Sequence, residues 1–91
     1  MKFSIEVGTS EKHVIEFTFN QLLGKSVVTV DGKEVFRKER WFSEPTVDRY
    51  NFEIGQFEPV RVRIEKERKL LLASKYRIYV DNRLTQLYQG V

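Results

Sequence analysis

His13 is the single histidine of a 91-residue chain that contains no cysteine. As a general base it would need a nucleophile such as Ser4, Ser10, Ser26 or Ser43 and a carboxylate to orient its ring. No motif places either beside it. Its position in an alternating stretch points instead to a polar member of an inner face near a strand end. Metal chemistry lacks a second His or Cys, and the scattered carboxylates Asp48 and Glu53 do not form a calcium loop. Between Gly24 and Phe42 there is no glycine-rich phosphate cradle. The expectation is a protein without catalytic residues, cofactor or metal, and therefore not an enzyme.

Two binding chemistries remain. Arg37, Lys38, Arg40, Arg61 and Arg63, with Trp41, Tyr50 and Phe57 near them, are the residue types of a cationic, aromatic platform for single-stranded nucleic acid. Against this, 16 basic and 13 acidic residues are interspersed for a formal charge of +3. Nucleic-acid binders gather unopposed cations into a stripe. The other chemistry is that of a strand edge. Val35-Phe36 passes into Arg37-Lys38-Glu39-Arg40 and then Trp41-Phe42, so charge falls on both faces, and such a strand belongs at a sheet edge. Its backbone offers unpaired donors and acceptors, and Trp41-Phe42 supplies an aromatic anchor. The predicted contact edge to a protein partner is Val35, Arg37, Lys38, Arg40, Trp41 and Phe42, its cations admitting acidic or mixed segments. In the competing reading Trp41 fills the core and the charges only solubilise the edge.

The elements that must position these residues read as strands. Phe3, Ile5 and Val7 alternate with polar neighbours, and His13, Ile15, Phe17 and Phe19 repeat the two-residue period after a break at Gly8-Thr9-Ser10. Val27 to Val30, the turn pair Asp31-Gly32 and Val35-Phe36 make the clearest hairpin. Ser43-Glu44-Pro45 interrupts the chain. Tyr50, Phe52 and Ile54, closed by Gly55, and Val60, Val62 and Ile64 give two further strands. Lys66 to Lys69 reads as a turn, followed by a long strand from Leu70 to Val80 with Leu70, Leu72, Tyr76, Ile78 and Val80 inward. Asp81-Asn82 turns into a last strand from Leu84 to Tyr88. The tips VTVDGKEV (28–35) and IYVDNRLT (78–85) share a pattern that turn chemistry explains without a duplicated domain. Leu70-Leu71-Leu72-Ala73, flanked by lysines, is the most aggregation-prone window and could receive a client strand or a second copy.

About eight short strands with no convincing helix predict an all-β protein, an antiparallel sandwich or a partly closed barrel, in one domain over residues 1–91. No apolar run approaches the ~18 residues of a membrane span, and MKFSIEVG lacks a signal-peptide apolar region. A soluble, cytoplasmic protein is expected, with self-association through an edge strand as a further option.

The segments HVIEFTF (13–19), GKSVVTVDGKEVFRKE (24–39), Phe42, Phe52 to Gly55, VRVRI (60–64) and YRIYVDNRLTQLY (76–88) occur in an order and spacing that resembles the Fas apoptotic inhibitory molecule (FAIM) family. The resemblance spans the whole chain. It implies an eight-stranded antiparallel β-sandwich without enzymatic activity, associated in animals with restraint of cell death and of protein aggregation. Animal members carry two such domains and a Trp in the first strand, where this chain has one domain and Phe3. Trp41 stands one residue from the family's usual aromatic pair. No catalytic or ligand residue is carried over.

Overall fold

The computed structural model describes residues 1–20, 23–39, 46–69 and 73–90. Eight strands follow one another: β1 Lys2–Val7, β2 His13–Asn20, β3 Lys25–Val30, β4 Lys33–Glu39, β5 Val47–Ile54, β6 Val60–Arg68, β7 Ser74–Val80 and β8 Arg83–Gly90. The first four make one antiparallel sheet in the order β1-β2-β3-β4, and the last four another in the order β5-β6-β7-β8. The all-β, two-sheet expectation is met, with no barrel closure.

The two-residue period decides which side chains meet. Phe3, Ile5, Val7, Ile15, Phe17, Phe19 and Val28 point from the first sheet into a core completed by Tyr50, Ile54, Val60, Val62, Ile64, Tyr76 and Ile78 of the second. Phe17, fully buried, lies 5.4 Å from both Tyr50 and Tyr76 and 5.0 Å from Phe3, which itself stacks on Tyr88 at 4.5 Å. At the other side of the sandwich Phe36 meets Tyr50 edge-on at 5.5 Å. β1 therefore lies over β8, and β4 over β5, so each side of the molecule presents two edge strands.

The sheets repeat each other further than the hairpin tips alone suggest. Both tips are turns with two consecutive residues of positive φ, Asp31 (51°) and Gly32 (85°), then Asp81 (50°) and Asn82 (66°). That is the geometry whose twist matches a two-residue hairpin. Each Asp also ties its turn to the neighbouring strand. The Val14 amide donates to Asp31 Oδ1 at 2.9 Å, and the Arg61 amide donates to Asp81 Oδ1 at 3.0 Å. A register shift lies beside each turn at the corresponding place, opposite Val28/Thr29 and opposite Ile78/Tyr79. The β1–β2 loop (Gly8 to Glu11) and the β5–β6 loop (Gly55 to Glu58) match as well. Gly8 has φ 96° and Gly55 φ 103°, and a Cβ on either would collide with the backbone oxygen of the Glu three residues on.

One expected boundary is corrected. The predicted turn at Lys66 to Lys69 is strand through Arg68, and Lys66 is register partner to Asp48 on one side and Tyr76 on the other. Lys66 continues the inward set of Val60, Val62 and Ile64 at 1% exposure, its ammonium 3.3 Å from the centroid of the Phe19 ring. An apolar stem and a cation–π contact let a lysine occupy a place that sequence reading gives to a hydrophobe. On the outer face Glu65 is only 9% exposed because Arg49, Arg63 and Arg77 close over it, each at 3.2 Å. A run charged on both faces thus lies in the middle of a sheet, contrary to the rule that places β4 at an edge. β7 begins at Ser74, and the inward assignments of Leu70 and Leu72 lie outside the described residues.

Candidate protein-contact edge and the polar cluster behind it

β4 is an edge strand of the first sheet, as its charged sequence predicts. The register shift opposite Val28/Thr29 leaves Val35 as the extra residue between Glu34 and Phe36, 47% exposed. Such a bulge twists an edge and interrupts its row of backbone groups. Beyond it the alternation resumes, with Phe36 and Lys38 turned toward the other sheet and Arg37 and Glu39 turned outward.

The two cations of this strand have different partners. The Arg37 guanidinium donates from Nη2 to Glu34 Oε1 at 2.7 Å and from Nε to both Glu34 oxygens at 3.2 Å, with Glu39 at 3.6 Å. It stays exposed, and Glu34 holds its pKa above the ordinary arginine value. Lys38 instead crosses to the second sheet. Its ammonium donates to Asp48 Oδ1 at 2.6 Å and to the Arg49 carbonyl at 3.0 Å, 4.5 Å from the Tyr50 ring centroid. Lys38 is thus a strut between the two sheets as well as a residue of the edge strand. Arg40, Trp41 and Phe42 lie outside the described residues.

Behind Lys38 sits a buried polar cluster. Asp48 is 5% exposed, Ser26 2% and Tyr50 1%. The Tyr50 hydroxyl shares a 2.8 Å hydrogen bond with Ser26 Oγ and donates to Asp48 Oδ2 at 3.4 Å. Burial of these groups is tolerated because each has a partner. Sequence reading weighed Ser26 only as a nucleophile for His13 and Asp48 only as a calcium ligand and joined neither to Tyr50, although Asp48 shares the inward phase of Tyr50 and Ile54. Tyr50, considered above as part of a stacking platform, is core. Arg37 faces outward from the first sheet and Arg61 from the second, so these cations lie on opposite faces of the sandwich. Arg63 lies over the Tyr79 ring at 4.2 Å, and Phe57 is 87% exposed in the β5–β6 loop.

His13 occupies the far end of the first sheet, where Nδ1 is 2.6 Å from Asp31 Oδ2 and Nε2 is 2.6 Å from Glu11 Oε2. Two carboxylates on two ring nitrogens favour the imidazolium, and the bonds to Asp31 and then Glu11 raise the pKa of His13 above its ordinary 6.5. In that state both nitrogens donate and no lone pair is left to accept a proton.

These features define a small antiparallel β-sandwich with one bulged, charged edge and a buried polar tie between its sheets. Residues 1–90 match the family model described as Fas apoptotic inhibitory molecule (FAIM1), and the chain belongs to that family. No curated protein matches the chain. Among the described residues no helix is long and apolar enough to cross a membrane.

Proposed function

We propose that this protein is a non-catalytic protein-interaction module whose contact surface includes the β4 edge and its continuation to Phe42. The observation that carries this reading is the division of labour within β4. Lys38 and Phe36 fix the strand to the second sheet, while Val35 and Arg37 on the same strand stay exposed. A rigid strand that presents side chains outward is a suitable contact element, since little order has to be gained on binding. The process served is that associated with the family, restraint of cell death or of protein aggregation, with this domain supplying the contact surface. The protein is not an enzyme in this reading, which is supported by His13 being held between two carboxylates with no nucleophile at its ring nitrogens among the described residues.

The test is recovery of partners from a lysate of the protein's own organism by wild type and by a variant with Arg37 and Arg40 both changed to Glu. The variant is expected to melt at the wild-type temperature and to lose the partner. Unchanged recovery by a folded variant would exclude this surface. Loss of every captured species at high salt would instead mark the captured set as electrostatic, the behaviour of nucleic acid.

A further inference from the structure

Among the described residues, three of the four edge strands carry charge along their length. β4 has five charged residues in seven, β5 has Asp48, Arg49 and Glu53, and β1 has Lys2 and Glu6. β8 differs, because after Arg83 the run Leu84-Thr85-Gln86-Leu87-Tyr88-Gln89-Gly90 has no charge. Leu84 and Leu87 are each 54% exposed there. A long uncharged stretch of edge without a proline lacks two of the devices by which edges are protected from pairing, charge and proline. Its bulge, opposite Ile78/Tyr79, lies near the turn and leaves Gln86 to Gly90 in regular register with β7.

We propose that β8 pairs antiparallel with β8 of a second copy of this chain, about a twofold axis at Leu87. An axis normal to the sheet sets Leu87 against Leu87 and Gln86 against Tyr88, and Thr85 and Gln89 lie beyond. No like charges meet along this seam. The strand stacked on β8 is suited to the same axis. Phe3 of β1 lies on Tyr88, and the open groove of about 340 Å³ beside that contact is lined by residues 4–8 together with Val80, Thr85 and Gln86. One residue from the Phe3–Tyr88 stack toward this groove, Ser4 comes to the level of Leu87. Around Ser4 the outward residues are Lys2 on one side and Glu6 on the other. The twofold therefore brings Lys2 of each copy, held only by a long 3.6 Å exposed pair with Glu16 of its own chain, toward Glu6 of the other, an opposite-charge arrangement that a partner unrelated to this chain would have no reason to match. β4 is less suited to pairing with itself, since Lys38 and Glu34 are already bound to Asp48 and Arg37. This surface lies on the side of the sandwich away from β4 and is independent of the contact proposed there.

Sedimentation equilibrium on the full chain tests the proposal. Wild type is expected to show a concentration-dependent dimer. Leu87→Lys and Leu87→Glu, each placing like charges across the axis, weaken it by about tenfold or more. An equimolar mixture of the two variants restores association as a heterodimer. Lys2→Glu also weakens the dimer, and adding Glu6→Lys recovers it. Circular dichroism confirms that each variant is folded. A wild type that stays monomeric up to about 1 mM overturns the proposal, as does a dimer that folded Leu87→Lys forms with wild-type affinity.

Discussion

Glu11 and Glu58 each close the loop that carries the other. The Glu11 carboxylate accepts hydrogen bonds from the amides of Gln56, Phe57 and Glu58 at 2.6–3.0 Å, and the Glu58 carboxylate accepts those of Thr9 (2.6 Å) and Ser10 (3.1 Å). The two loops belong to different sheets, so the exchange joins the sandwich at one end as Lys38 and Asp48 join it elsewhere. Glu11 then passes the connection to His13 and through it to Asp31, linking three turns.

This arrangement predicts a stability maximum in mildly acidic solution. The amides of Gln56, Glu58 and Phe57, then His13, lower Glu11 from 4.5 to about 2, and the amides of Thr9 and Ser10 lower Glu58. Depressed carboxylates stabilise the fold above their unfolded value of 4.5, and that stability is lost as pH falls toward 2. His13 has the opposite sign. Its raised pKa stabilises the fold below 6.5, and this is lost as pH rises through the raised value. Melting temperature is expected to be highest between 4.5 and 6.5, falling on both sides. Substituting His13→Gln should flatten the alkaline limb and keep the acid one, and an alkaline limb that persists in this variant would assign it to another group.

At Gly8 or Gly55, alanine meets both a positive φ and the backbone oxygen of the third following residue. Each substitution is expected to cost about 1–3 kcal/mol in urea unfolding. Gly32→Ala, whose Cβ would have nothing within 4 Å, carries only the conformational part and should cost less. Equal losses at all three would show that the collision is relieved by movement.

Tyr50→Phe removes the hydroxyl that binds Ser26 Oγ and leaves a buried serine without that partner. A loss of about 1–3 kcal/mol is expected. Ser26→Ala in the Tyr50→Phe background should then be nearly neutral, a coupling that a double-mutant cycle reads directly. Additive losses would mean that the two hydroxyls are satisfied independently.

Lys38→Ala and Arg37→Ala separate strut from surface on adjacent residues. The first uncovers Asp48, 5% exposed, and is expected to lower stability by about 1–3 kcal/mol. The second removes a solvent-exposed ion pair and should leave the denaturation midpoint in place. Equal effects from both would contradict the inward course of Lys38.

Alternation was enough to read the strands from Phe3 to Val7 and from His13 to Phe19, and the pair Asp31-Gly32 was enough to read a hairpin, because period and turn chemistry are local properties of the chain. The same locality places Arg37 and Val35 on an edge strand. It failed at Lys66, where local reading saw a charged turn and the tertiary structure supplies a ring from Phe19 and a register between β5 and β7. The tie of Lys38 to Asp48 is equally silent in the sequence, since nothing within β4 announces the carboxylate of the other sheet. The reciprocal hold of Glu11 and Glu58 is likewise invisible along the chain, their loops being 47 residues apart for Glu11 and Glu58. The sequence by itself determined which residues alternate and where the chain turns. Which charged residues are buried, tied or free was decided only when two sheets came face to face, because burial and pairing of a charge depend on what lies across the interface.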